Sequence, residues 1–384
     1  MKLETFNYTK DKGWSVKEFP KLDSEQTLVL AFAAPDILND PAPLKELAKH
    51  YPKSKIIGCS SAGEISGAHI MDHSISVAVT QFEKTPIEIA KIDISKPEES
   101  LEAGKRLAKT LNKNNLRGIM VLSDGLIVNG TKLVEGLNEN SSDKVVITGG
   151  LAGDGDRFKN TWTIYNGEIQ NDAVVAVGFY GDSINIGYSS RGGWDIFGPE
   201  RLITRSENNV LYELDDQPAL KLYKEYLGDR ASGLPSTGLL FPLAIRQDTK
   251  GSRQLVRTIL AVNERDQSLT FAGDMPIGNL AQLMRANFDR LIESAGDAGE
   301  AAVKIMHTAQ SSNKGPMLAV AISCVGRRLL LGERTEEETE STLESFPSGT
   351  KQIGFYSYGE LSPMVAGTCD LHNQTMTLTT FSEE

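Results

Sequence analysis

The sequence predicts an α/β fold, a pseudo-duplicated two-domain protein with mixed parallel/antiparallel sheets flanked by helices. Strand–helix–strand patterns build parallel sheets, and they occur here beside segments of alternating apolar and polar residues, which are typical of antiparallel strands. Residues 57–66 also recur at 353–362, with seven of ten positions matching when Ile and Leu count as one class. A weaker third copy lies at 148–154 and a fragment at 272–274. Each copy resembles a strand that ends in a glycine-rich turn, so the repeat indicates duplicated architecture.

Composition limits the class of protein. The chain has 384 residues, 40% of them hydrophobic and 24% charged, which suits two globular domains. A net charge of −11 and a pI near 5.2 argue against a nucleic-acid surface. The cysteines Cys59, Cys324 and Cys369 are odd in number and widely spaced, so neither a disulfide framework nor a zinc motif is expected. With no signal peptide or membrane-spanning run in the pattern, we expect a cytoplasmic protein.

The elements of the first half follow from apolar runs and helix-start signals. Short apolar runs predict buried strands, whereas alternating residues around Lys84-Thr85-Pro86 predict an antiparallel hairpin. Proline or acidic residues mark the first turns of helices, and Asn166-Gly167 predicts a hairpin turn. In order, we expect an arm at 1–24, strand 27–32, helix 43–50, strands 55–59, 74–82 and 87–94, helix 97–111, strand 118–122, helix 131–137, and strands 144–147, 162–165, 173–180 and 184–188.

The second half shows the same mixture of predicted strands and helices. It follows a polar stretch at 204–218, which we interpret as a domain junction. Apolar residues at helical spacing predict an amphipathic helix at 279–295. The remaining expected elements are helix 219–227, strands 239–246, 255–262, 269–271 and 317–324, helix 335–346, and strands from 353 and at 375–381. The expected division is an arm at 1–24, a first α/β domain at 25–212 and a second at 213–384.

Nucleophilic catalysis is the first chemistry to consider. Residues 59–63 nearly form the Gly-x-Ser-x-Gly elbow of serine hydrolases, but Cys59 occupies the position of the first glycine. The residues after Ser61 also make a poor helix start. We therefore expect no catalytic residue, and an enzyme that uses Cys324 or Ser61 as its nucleophile stays open as the alternative.

Metal and haem ligation are not decided by the sequence. Five histidines, at 50, 69, 73, 307 and 372, show no recognised ligand spacing, so a metal site is unknown. Haem needs one axial ligand and an apolar slot with cations near its propionates, and spacing cannot exclude that.

A pair of carboxylates is the remaining signal. Glu64 and Glu360 lie on equivalent turns, and Arg327 follows the end of another buried strand. In one interpretation these groups only cap turns and satisfy one another. In the other, they lie at the rim of an inter-domain cleft, where strand-end loops commonly bind small molecules.

Five motifs together resemble a known family. Residues 58–64, 149–154 and 214–219 resemble the FIST N domain, and residues 323–327 and 354–360 resemble the FIST C domain, in the same order along the chain. This resemblance implies an intracellular sensory module that binds a small ligand such as an amino acid. Some bacterial members are described as haem-based nitric-oxide sensors that regulate a histidine kinase. Nothing in the chain resembles a kinase or another output domain, so the resemblance implies a separate partner.

The sequence thus predicts a sensory, signal-transducing protein that binds haem, for nitric-oxide sensing, or a small polar metabolite between its two domains. It would signal to a partner such as a histidine kinase of a two-component system. An enzyme and an adaptor that binds no ligand are the alternatives. The predicted ligand-binding residues are Ser60, Ser61, Glu64, Gly153, Asp154, Cys324, Arg327, Tyr356 and Glu360.

Overall fold

The computed structural model describes residues 1–247, 254–309, 315–365 and 368–384. Within them, one structural unit occurs three times. Each unit has two parallel strands joined through helix, then a short hairpin, then a last strand that returns antiparallel to the first of the parallel pair. The mixed α/β class that the sequence predicts is confirmed. The strong sequence repeat marks the first and third units, and the weaker copy marks the second.

The first unit contains most of the expected N-terminal arm, because that segment forms the last two strands, β1 and β2, at one edge of the first sheet. The elements of this unit are β1 (Lys2–Thr9), β2 (Gly13–Trp14), β3 (Thr27–Ala33), α1 (Ala42–His50), β4 (Lys55–Ser60), β5 (Glu64–Ser66), β6 (His69–Met71) and β7 (Ser74–Gln81). A short 3-10 helix, Pro35–Asn39, precedes α1.

The second unit adds a helix before its parallel pair. Its elements are β8 (Ile87–Asp93), α2 (Ser100–Leu111), β9 (Leu116–Ser123), α3 (Gly130–Glu139), β10 (Val146–Leu151), β11 (Thr163–Tyr165), β12 (Glu168–Gln170) and β13 (Ala173–Tyr180). The turn Asn166-Gly167 has positive φ at both residues, as expected for a tight hairpin.

The third unit begins with β14 (Ile184–Arg191) and is then interrupted by an inserted domain with its own eight-stranded sheet. The insertion contains β15 (Asp195–Glu207), β16 (Val210–Leu214), β17 (Gln217–Pro218), α4 (Ala219–Leu227), β18 (Leu243–Arg246), β19 (Leu255–Arg257), β20 (Ile259–Asn263), β21 (Ser268–Phe271) and β22 (Leu280–Arg285). Its apolar core is formed by residues 203–283 alone, so it is a separately packed layer. The third unit resumes with α5 (Phe288–Ala309), β23 (Leu318–Cys324), α6 (Val325–Leu331), α7 (Thr335–Glu344), β24 (Lys351–Ser357), β25 (Gly359–Val365), β26 (Thr368–His372) and β27 (Met376–Glu383).

The three units exchange their hairpins in a closed cycle. The hairpin of the first unit (β5–β6) pairs with β24 of the third. The hairpin of the second (β11–β12) pairs with β4 of the first, and that of the third (β25–β26) pairs with β10 of the second. Each sheet is therefore completed by a neighbouring unit, which ties the three units into one core.

One glycine in each unit explains the repeated motif. Gly58, Gly149 and Gly354 lie opposite Ala31, Val121 and Ala321 on the neighbouring parallel strands. A Cβ at any of the three would lie 1.8 Å from the carbonyl oxygen of that partner. Only glycine allows this close approach of the two backbones.

Three sequence predictions of elements are wrong. The helix at 279–295 is instead β22 followed by α5, because Leu280–Arg285 pairs on both sides with β15 and β18. The hairpin of 74–82 and 87–94 does not form, because β7 joins the first sheet and β8 the second. The chain crosses between them where the Glu383 carboxylate accepts bonds from the backbone N–H groups of residues 83–85. The single strand at 255–262 is two strands at opposite edges of the inserted sheet.

The expected domain boundary stays a prediction. In the structure, residues 212 and 213 are neighbours within β16, and the polar stretch 204–218 forms a β-hairpin and its continuation inside the insertion. In the parts of the chain that the structure describes, no helix is both long and apolar enough to cross a membrane.

Candidate functional site

The three strand-end turns meet in a ring at the centre of the core. Ala62 N donates to Tyr356 O at 2.8 Å, Gly153 N to Ser60 O at 3.1 Å and Tyr358 N to Leu151 O at 3.1 Å. Donors and acceptors occupy equivalent positions in the three units, so the bonds run in one direction around the ring. The turns that the sequence singles out therefore do converge.

The two repeated glutamates are buried, do not line the main cleft described below, and cap these turns. Glu64 Oε2 accepts bonds from the backbone N and Oγ of Ser74, at 3.2 and 2.7 Å. Glu360 accepts from Ser357 Oγ at 2.6 Å and from Thr375 N and Oγ1 at 3.3 and 2.9 Å. Both carboxyls are buried, and burial raises the pKa of each to about 8 although the hydrogen bonds lower it.

The second unit lacks this capping arrangement altogether. At the three equivalent positions it has Thr163, Ala152 and Ala173 in place of a glutamate and two hydroxyl residues. The carboxyl and its donors are thus absent together, which is the pattern expected of a self-contained structural cap.

Arg327 is also committed to the core. Its Nε donates to Glu338 Oε2 at 2.7 Å, and its other nitrogens donate to the carbonyl oxygens of Gly192 and Leu291. Glu338 accepts further bonds from Ser323 Oγ and Tyr356 OH. Arg327 and Glu338 are fully buried, so the pair holds α5, α6 and α7 together.

The main cleft lies between the inserted domain and the second and third units. Its volume is about 640 Å³, within the usual range for small-molecule sites. Of the nine large apolar side chains that are exposed in the described residues, four line it. These four are Leu126, Phe158, Leu260 and Leu329, with exposed fractions of 41, 47, 42 and 47%. An exposed apolar cluster around a concave surface is a mark of a binding site.

Two buried aspartates hold the loops that form the cleft rim. Asp154 accepts bonds from the backbone N–H groups of residues 158–160 and from Tyr358 OH. Burial raises its pKa, but these hydrogen bonds outweigh burial and leave it below the usual value. Asp124 Oδ1 accepts from the backbone N of Leu126 and Ile127, at 2.8 and 2.9 Å. The rim is therefore fixed before any ligand binds.

The described lining of this cleft has no cluster of residues suited to hold a metal ion or haem. No group of three or more metal-ligating residues occurs in the described part of the chain. No His, Lys or Arg lines the cleft there. Burial raises the pKa of Cys324, which does line it, to about 12, and Tyr358 OH is bonded to Asp154. These residues do not fit haem, which needs an axial ligand and cations for its propionates.

Comparison with known families decides the membership of this chain. A family model described as the FIST N domain matches residues 27–217, and one described as the FIST C domain matches residues 219–363. The chain belongs to the FIST family. The two models meet inside the insertion, at β17. FIST domains are regarded as sensory, signal-transduction domains.

Its relatives are themselves described as uncharacterized. This FIST protein is 25% identical over 358 residues to an uncharacterized protein of Methanocaldococcus jannaschii, covering 82% of this chain and 65% of the relative. It is 23% identical over 333 residues to an uncharacterized protein of Mycobacterium tuberculosis, covering 85% and 83%. Among solved structures, cyanuric acid hydrolase from A. caulinodans matches with 10% identity and a TM-score of 0.19, covering 78% of this chain and 99% of that one. So low a score supports no argument about function.

The structure distributes the nine predicted ligand-binding residues unevenly. Cys324 lines the cleft, and Gly153 and Asp154 lie in the turn that supports its rim. The other six are buried and engaged in the ring or its surroundings: Ser60, Ser61, Glu64, Arg327, Tyr356 and Glu360. Their assignment to ligand binding stays a prediction, and each has a structural contact in this FIST fold.

Sequence reasoning missed the apolar residues of the cleft. Leu126 follows the Asp124-Gly125 turn but has apolar neighbours, Ile127 and Val128. Phe158 lies in a polar, glycine-containing turn, where a large apolar residue is unexpected. That mismatch was a usable signal. Leu260 and Leu329 gave no comparable signal, because each lies in a regular element with apolar neighbours.

Proposed function

We propose that this FIST protein is a sensor that binds one small, largely apolar molecule in the cleft between the inserted domain and the core. The observation that carries the proposal is the concentration of exposed apolar side chains around one preformed cavity. Leaving four such side chains in water costs free energy that a ligand would recover by covering them.

The chemistry of the lining favours this ligand over the two that the sequence suggests. The groups expected to hold an amino acid, Glu64, Glu360 and Arg327, are buried in structural contacts. We therefore do not propose an amino acid bound by these groups. Haem and nitric-oxide sensing stay predictions, and a shift of a haemin Soret band on adding nitric oxide would test them.

Signalling would pass through the two short connections to the insertion. Residues 191–195 lead into the inserted domain, and residues 285–288 lead out of it. A ligand that contacts both the core and the insertion would change how firmly the two are held together. A separate partner, such as a histidine kinase in the cytoplasm, would sense that change.

A thermal-shift screen tests the proposal with a matched pair of variants. Leu260 and Leu202 are both leucines of the insertion with 42% exposure, but only Leu260 lines the cleft. A ligand present at a hundred times its Kd stabilises the fold by about 2.7 kcal/mol. We expect that stabilisation to be lost in Leu260→Arg and kept in Leu202→Arg. Equal stabilisation of both variants, or no stabilising compound of any class, would contradict the proposal.

A further inference from the structure

The cleft rim presents an aromatic platform. The rings of Phe158 and Tyr358 are stacked, with centroids 4.5 Å apart and planes 15° apart, and both line the cleft. Phe158 has a φ of +50°, a left-handed conformation that bulky residues rarely adopt. Bonds from its own and following N–H groups to Asp154 hold it there. The chain thus accepts a strained backbone to keep an exposed aromatic ring at the rim, which is typical of functional positions.

The charges on the lining are of one sign. Among the lining residues that the structure describes, the charged ones are Asp156 and Asp274. Arg257 lies behind Gly273, where it donates to the carbonyl oxygens of Asp274 and Leu371 and faces Asp370 as well as Asp274. Arg328, in the adjoining hollow, is paired with Asp72. Arg157, between Asp156 and Phe158 in the chain, donates to the carbonyl oxygen of Asp154 and is not among the lining residues. The charged groups of the described lining are therefore all carboxylates, so an anionic ligand would be repelled.

A buried hydroxyl in the wall lacks a partner. Thr258 lines the cleft with 5% of its surface exposed, and its Oγ1 makes no hydrogen bond within the described parts of the chain. Such a group costs about 1–3 kcal/mol when left unsatisfied. The oxygen is itself buried from the cleft, so no ligand contact is assigned to it.

From the aromatic platform and the carboxylates of the lining we propose that the cleft selects a flat aromatic molecule that is uncharged or carries an amine, and discriminates against carboxylates. The inference rests on the proposed function and adds the ligand class to it. The flat face would lie on Phe158, the leucines would cover the opposite side, and the amine or N–H would lie toward Asp156 and Asp274.

Three probes with one ring system test this selectivity. Indole, tryptamine and indole-3-propionate are neutral, cationic and anionic, and calorimetric titration at pH 7 and low salt gives the Kd of each. We expect tryptamine to bind about tenfold more tightly than indole-3-propionate. The Asp156 carboxylate attracts the ammonium group of tryptamine and repels the carboxylate of indole-3-propionate. Asp156→Asn should narrow that ratio, whereas Asp216→Asn, at an exposed site on the insertion outside the cleft lining, should leave it unchanged.

Two further outcomes separate this inference from the proposed function. Phe158→Leu should raise the Kd of all three probes by a similar factor of about 2 to 12, because that factor corresponds to the usual interaction energy of an aromatic pair. If indole-3-propionate binds as tightly as tryptamine, or if only non-aromatic compounds give stabilisation that Leu260→Arg abolishes, the ligand class is wrong and the proposed function stands. If no compound gives stabilisation sensitive to Leu260→Arg, both are wrong.

Discussion

Glu64 and Glu360 occupy the same position in two of the three units, and each caps its own turn through hydroxyl and backbone donors where the last strand of its unit begins. The equivalence is exact in register, because Ile65 pairs with Gly354 as Leu361 pairs with Gly149. The repeat that stands out in the sequence is therefore a repeat of construction.

This relationship predicts a specific dependence of stability on pH. The pKa of each carboxyl rises from 4.5 to about 8 on burial, so the folded state keeps a proton that the unfolded chain has lost between those values. The resulting stability is fully present below pH 4.5 and is lost as the pH rises through 8. Between these two pKa values, the free energy of unfolding should fall by about 1.4 kcal/mol per pH unit for each group.

Glu64→Gln and Glu360→Gln should each reduce that slope, because glutamine has no proton to lose. Urea unfolding of the wild type and both variants between pH 5 and 9 measures it. Glu98→Gln, at an exposed carboxylate, is the control. Its free energy of unfolding should change with pH as that of the wild type does. If the free energies of unfolding of the Glu64 and Glu360 variants also follow the pH dependence of the wild type, both carboxyls are ionised throughout and are not the buried, protonated groups described here.

The three close-approach glycines should respond alike to substitution. Gly58→Ala, Gly149→Ala and Gly354→Ala each place a methyl group 1.8 Å from a carbonyl oxygen. Because two paired backbones cannot yield independently, each change should cost about 3 kcal/mol or more. Gly198→Ala, whose nearest contact is a side-chain atom at 3.3 Å, should cost far less. Circular dichroism during thermal unfolding would show this, and a glycine of the three that tolerates alanine would contradict the threefold description.

The Arg327–Glu338 pair should behave as a buried structural ion pair. Arg327→Met leaves the Glu338 carboxylate buried without its cation, and the expected cost is about 3–5 kcal/mol. The double variant Arg327→Met, Glu338→Gln should recover much of that loss. At the surface, Arg334→Met should cost about 0–1 kcal/mol although Arg334 contacts two carboxylates. Urea unfolding gives all three values, and a stable Arg327→Met protein that fails to bind cleft ligands would restore the ligand-binding role that the sequence predicted.

Cys324 should be unreactive in the native protein. Burial and the nearby Glu360 raise its pKa to about 12, so about one thiol in ten thousand is ionised at pH 8. Labelling by iodoacetamide, followed by mass spectrometry, should therefore require unfolding, as for the equally buried Cys59. Rapid and selective labelling of Cys324 in the folded protein would favour the enzyme alternative.

The fold was more predictable from the sequence than the site. Apolar runs such as 27–32 and 317–324 identify buried strands because burial on both faces leaves no polar positions. The same reasoning fails for residues 280–285. The apolar residues there, Leu280, Leu283 and Met284, are spaced by three and one, which fits a helix as well as a strand. Its partners, β15 and β18, are distant in sequence, and only pairing with them decides the outcome.

The site could not be predicted in the same way. Charged residues after buried strands often bind ligands, so the sequence indicates a ligand-binding role for Glu64, Arg327 and Glu360. Their neighbours in the sequence do not show that each has buried partners from other elements. Leu260 and Leu329 are ordinary apolar residues in the sequence, and they become informative only when the insertion folds over the second and third units. The sequence identifies the repeated turns correctly but not the surface that they support.

A structure of the protein bound to its strongest thermal-shift ligand tests the central claim most directly. We expect the ligand to lie against Phe158, between Leu260 of the insertion and Leu329 of the core, with the ring of turns unchanged beneath it. A ligand found instead in the hollow beside Arg328, or in the pocket near Lys17 at the N-terminal end, would contradict the assignment of the sensory site to this cleft.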